Sequence, residues 1–147
     1  MLAQHSIVVV LVANPDGRKL VENGEFCQRT PPNSEVDMNR DWSSHWNPEA
    51  SAPDQKPGVR AFSRPETRLV RDSLLKEKAN NVVFFLSVHS GKLGLYAPWA
   101  FDMNKEGEED VISIASEVGK MYCQCPVGPA GKMLAQNAYG TCLDWVR

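Results

Sequence analysis

Val82-Val83-Phe84-Phe85-Leu86-Ser87-Val88-His89-Ser90-Gly91 is the stretch on which the fold turns. It is rich in β-branched and aromatic residues and lacks strict polar alternation. A short run of this kind reads as a strand apolar on both faces, the form of a central strand in an α/β sheet. His89 stands at its carboxyl end. Upstream, Ser63-Arg64-Pro65-Glu66 has the spacing of a capping box, with Ser63 as N-cap and Glu66 at the third helical position. Pro65 falls in the first turn, where its missing N–H costs nothing. A helix is expected from there to about Lys78, with Leu69, Val70 and Leu74 as its apolar face. Asn80-Asn81 ends it. Further upstream, Ile7 to Ala13 reads as a second buried strand, stopped by the turn signal Asn14-Pro15-Asp16-Gly17. Strand, helix and strand in this order indicate α/β. Ligands of open α/β sheets sit outside the carboxyl ends of strands, where His89 lies.

Downstream, Leu93 to Trp99 reads as a further short strand or extended loop. A helix is expected near Glu108 to Tyr122, because Val111, Ile114, Ala115, Val118 and Met121 recur at spacings of three and four. The acids at its start suit the helix dipole. Cys123 to Gly131 reads as Pro/Gly-rich loop, and Thr141 to Arg147 as a last short helix. Residues 18–62 have no sustained period and many turn formers. Trp42, Trp46 and Phe62 argue that this long segment is an ordered, packed loop.

Bulk properties narrow the function classes. Of 147 residues, 42% are hydrophobic and 23% charged, the balance of a chain that buries a core. A net charge of −2 gives no electrostatic pull toward nucleic acid or anionic membrane. No apolar run approaches the ~20 residues that span a bilayer. Met1 to Ser6 has no basic region and Ile7 to Val12 is too short to make a secretory leader. Cys27, Cys123, Cys125 and Cys142 lack the C-x-x-C spacing of zinc knuckles. One disulfide from Cys27 to Cys123 or Cys125 and free thiols packed as small hydrophobes both stay open.

Chemistry-bearing residues are few. A lone strand-end histidine is more often structural than a ligand. Arg29, Asn39 and Arg40 lie in the irregular segment; an arginine beside an asparagine amide makes a good carboxylate clamp, although loop arginines are usually solvated surface.

Their order carries more. Asn14-Pro15-Asp16-Gly17, Cys27-Gln28-Arg29, Val36-Asp37-Met38-Asn39-Arg40-Asp41-Trp42, Phe62-Ser63-Arg64-Pro65-Glu66-Thr67, Leu86-Ser87-Val88-His89-Ser90-Gly91, Tyr139-Gly140-Thr141 and Asp144-Trp145 follow one another along nearly the whole chain. This series resembles the zinc carboxypeptidases of the carboxypeptidase A type. The resemblance implies a three-layer α/β/α fold with a mixed central sheet, and hydrolysis of the C-terminal peptide bond of peptides or proteins with one zinc ion. It implies that His89 is a zinc ligand and that Arg29 stabilises the oxyanion. Asn39 and Arg40 would bind the terminal carboxylate, Ser90 would line the adjacent subsite, and Leu143 would floor the pocket for the terminal side chain. Tyr139 stands near the place of the tyrosine that caps this pocket, although ungapped alignment puts Gln136 there.

The chain departs from the family pattern at two further elements. The family's His-x-x-Glu ligand motif is not present: His5-Ser6-Ile7-Val8 does not match it, and His45 has Pro48 three residues on. The catalytic glutamate, which the family carries after the Asp-Trp element, has no counterpart. The expectation is therefore a single partial catalytic domain over residues 1–147, inactive alone, with a non-catalytic binder of peptide C-termini as the alternative.

Overall fold

The computed structural model describes residues 6–78, 80, 82 and 84–147. Helix α1 spans Pro15–Glu22. Asn14, expected to open a turn, instead caps this helix through Oδ1, which accepts the Gly17 N–H at 3.0 Å. Pro15 then occupies the first helical position, where proline is favoured. A 3-10 turn follows at Met38–Arg40. Helix α2 runs Pro65–Lys78, as its sequence implies, but its start is held differently. The Ser63 hydroxyl donates to Asp41 Oδ1 at 2.7 Å, and the Ser63 and Arg64 N–H groups donate to the same carboxylate. A buried aspartate from another segment thus anchors the chain entering the helix.

Strand β1, Leu95–Ala97, pairs in parallel with β2, Val127–Pro129, placing Tyr96 opposite Gly128. Helix α3, Glu109–Tyr122, connects them and packs on both strands, the crossover that a parallel pair requires. Helix α4, Ala130–Leu134, follows β2 directly, and α5 spans Cys142–Trp145. The stretch expected as loop after Cys123 therefore supplies β2 and the start of α4, because Val127 to Pro129 finds the β1 edge.

The α/β class stands, and among the described residues the sheet is this two-stranded parallel pair. Among the described residues, the two apolar runs expected as buried central strands carry no strand. Ile7 to Val12 are exposed, with Leu11 at 89%, and so are Phe84, Leu86 and Val88, the last at 85%. Such a run is buried only when ladders form on its edges and layers cover its faces. Among the described residues neither run has a ladder partner. Helix α3 corrects its expected orientation for a related reason. Gly119 is its buried residue, since a Cβ there would stand 2.9 Å from Val127 Cγ2. Seating that face on the sheet leaves Ile114, Val118 and Met121 in solvent.

The core is small and split. Ala100, Ala130 and Ala138 form one cluster, against which Tyr96 and Leu143 pack. Trp42, 4% exposed, meets Trp145 at 5.0 Å and Phe62 at 5.7 Å between ring centroids. The disulfide joins Cys123 to Cys125, and Cys27 and Cys142 are free thiols. A pairing from Cys27 is ruled out because both of its expected partners are bonded to each other.

Candidate substrate-recognition site

Asp37 organises the site. Its Oδ1 accepts the Asn39 N–H at 2.9 Å, closing an Asx turn that starts the 3-10 segment. Its Oδ2 accepts Arg29 Nε at 2.7 Å. One buried carboxylate thus sets the distance between two segments eight residues apart. The sequence shows Asp37 as a turn former, but not that its second oxygen takes an arginine.

Arg40 is 8% exposed. Its Nη1 donates to its neighbour's carbonyl, Asn39 O, at 2.7 Å, while its Nε is buried without a partner among the described residues. Burial lowers its pKa, Asp37 raises it, Arg29 lowers it again and Asp54 raises it; a guanidinium stays charged across such shifts. A guanidinium carries five N–H donors, so an anion would meet Arg40 through its Nη groups.

Asn39 is fixed at both ends. Its backbone is tied to Asp37, and its side-chain Oδ1 accepts the Cys142 N–H at 2.9 Å across 103 residues. Beside this bond, the Trp42 N–H donates to Gly140 O at 3.0 Å. Gly140 has φ +65°, and a Cβ there would lie 2.6 Å from Arg40 O. Only glycine lets the two backbones approach so closely.

His89 is exposed, with Ser87 Oγ 3.0 Å from its Nε2. Its pKa lies below the ordinary value, first because packed atoms around the ring remove hydration, then because of the Arg29 charge; Asp37 opposes this and Arg40 adds to it. Desolvation and the two arginines thus favour the neutral ring, the form of imidazole that binds metals, while Asp37 works against them. Ser90 is exposed beside Gly91, whose φ is +134°. Tyr139 is half-buried, its hydroxyl 3.5 Å from Asn137 Nδ2. Leu143 packs on the alanine cluster, and the Asp144 carboxylate turns inward to accept the Ala100 and Phe101 N–H groups at 2.9 and 3.0 Å. His45 stacks on Phe101 at 3.5 Å. His5 lies outside the described residues.

Among the described residues no group of three His, Cys, Asp or Glu side chains stands close enough to hold a metal ion. A catalytic zinc takes three protein ligands. The single imidazole beside the arginines does not meet that requirement, and no hydrolytic step is assigned to it.

Asp37 thus brings Arg29 and Asn39 together beside Arg40, and the charges of Arg29, Asp37 and Arg40 reach His89. The zinc carboxypeptidase family model matches residues 1–144, and the chain belongs to that family. It is 33% identical over 117 residues to carboxypeptidase B of Helicoverpa zea, covering 69% of this chain and 27% of that protein. It is 42% identical over 72 residues to carboxypeptidase B of Astacus astacus, covering 45% and 23%. The chain thus spans about a quarter of the length of these curated relatives. Bovine thrombin-activatable fibrinolysis inhibitor, solved in complex with tick carboxypeptidase inhibitor, shares the fold with a TM-score of 0.72 at 19% identity, over 92% of this chain and 51% of that one.

Proposed function

We propose that this chain carries the surface by which a zinc carboxypeptidase recognises the C-terminus of a peptide or protein, and that the complete enzyme hydrolyses the C-terminal peptide bond. The observation that carries the reading is the Asp37 junction, which holds Arg29 and Asn39 on one carboxylate next to Arg40. In this reading Asn39 and Arg40 grip the terminal carboxylate. Arg29 stands one segment away, where charge develops on the scissile carbonyl oxygen. His89 contributes one imidazole toward zinc, Ser90 lines the neighbouring subsite, and Tyr139 and Leu143 flank the terminal side chain. With one such imidazole, the 147-residue chain binds zinc weakly and does not cleave peptides.

The test is a titration with N-acetyl-Gly-Gly-Phe and with its C-terminal amide, followed by calorimetry. The free carboxylate should bind at least tenfold more tightly, and Arg40→Ala should abolish the difference. Equal affinity for acid and amide would refute the reading. Zinc-dependent, chelator-sensitive hydrolysis by the purified chain would show that catalysis does not need the ligands missing from it.

A further inference from the structure

We infer that the backbone N–H of Cys142 is a positioning donor that orients the Asn39 amide for carboxylate binding. This rests on the recognition function proposed above and adds to it a residue outside the clamp.

A side-chain amide has an acceptor end and a donor end, and which end faces a ligand decides whether it attracts or repels a carboxylate. Cys142 is the first residue of α5, so its N–H has no partner within the helix. It donates to Asn39 Oδ1 at 2.9 Å. A backbone N–H accepts nothing, so the oxygen must face α5 and the Nδ2 donors must face away from it. Among the described residues Nδ2 has no acceptor. The Asn39 backbone is held as well, because Asp37 Oδ1 accepts its N–H. Trp42 N–H to Gly140 O locks the same two segments together one step further along. Because α5 also carries Leu143, the groups that read the terminal carboxylate and the terminal side chain share one rigid junction.

The N–H can be removed with little else changed. The first helical position favours proline, and Thr141, at φ −86° and ψ 151°, already has the extended backbone that precedes one. Cys142→Pro should weaken binding of N-acetyl-Gly-Gly-Phe by about tenfold and leave the weaker binding of its amide unchanged. Cys142→Ala keeps the N–H and should retain the acid-over-amide preference. If the proline variant does not fold, an ester in place of the Thr141–Cys142 peptide bond deletes the same donor without the ring. Full preference for the acid in both the proline and ester forms would overturn the inference while the recognition function stood. Equal loss in the alanine and proline variants would assign the effect to the side chain and overturn it too. No preference in the unmodified chain would overturn the recognition function, and the inference with it.

Discussion

Arg29 is tied to Asp37 by a 2.7 Å bond from Nε to Oδ2, while the other oxygen of that carboxylate holds the Asn39 N–H. The two bonds differ in worth. Arg29 keeps 53% of its side chain in solvent, so the ion pair contributes about 0–1 kcal/mol. The Asn39 N–H loses its acceptor entirely if the carboxylate is deleted, at a cost of roughly 1–3 kcal/mol. Asp37→Ala should therefore lower unfolding stability in urea more than Arg29→Ala, with Asp37→Asn between them. Equal losses in the two alanine variants would mean that the ion pair dominates.

Gly140 stands where the last loop comes close to the backbone of the clamp. Gly140→Ala combines a left-handed residue with a Cβ 2.6 Å from Arg40 O and should cost roughly 2–4 kcal/mol. Gly24 also has positive φ, but open space around its would-be Cβ, so Gly24→Ala carries strain without collision. Thermal melts of the two variants should rank Gly140→Ala clearly lower, and a reversed order would contradict the close-approach argument.

Burial pushes the Cys142 thiol up to about 12 from an ordinary 9.0. The folded state then keeps a proton that the unfolded state gives up. The resulting stabilisation is complete below pH 9 and is lost as pH rises toward 12, at up to about 1.4 kcal/mol per unit. Wild type minus Cys142→Ala, compared across pH 8 to 11, isolates this slope from other groups. Iodoacetamide at pH 8 should label exposed Cys27 in the folded chain and Cys142 only after unfolding. Rapid native labelling of Cys142 would contradict its burial.

The exposed runs around Leu11 and Val88 have high β propensity and no charge, the features of an aggregation edge. Leu11→Lys with Val88→Lys should raise the monomer fraction in analytical ultracentrifugation without lowering the melting temperature. A wild-type chain that stays monomeric at high concentration would argue that these runs are covered.

In the proposed recognition site Leu143 would offer no partner to a terminal lysine head group, and desolvating an unpaired charge costs several kcal/mol, on the order of 3–5. A terminal Phe instead gains roughly 1.5–3 kcal/mol on full burial. Peptides ending in Phe should bind more tightly than those ending in Lys, and Leu143→Asp should shift the balance toward Lys. Tighter binding of the Lys peptide to the wild-type chain would remove Leu143 from the pocket.

What the sequence determined by itself is what depends on neighbours in the chain. Helices α2 and α3 begin and end within a residue or two of where caps, apolar period and Asn80 place them, because a helix satisfies its hydrogen bonds internally. The ordered motifs identified the family for the same reason, being local patterns. Other features belonged to the tertiary structure. Apolar runs specify strands only when partners exist, and Ile7 to Val12 and Phe84 to Val88 show that composition does not supply them. Which face of α3 turns inward was decided by the space Gly119 leaves for Val127, not by where its larger apolar residues fall. The candidate site was half legible: Arg29, Asn39, Arg40 and His89 stand out by residue type. Asp37 as the link between Arg29 and Asn39, Asp41 as the anchor of α2 and Cys142 as the partner of Asn39 do not. Those are bonds across 8, 22 and 103 residues. A hydrogen bond between distant residues leaves no period or spacing in the sequence, since only folding brings donor and acceptor to the same place.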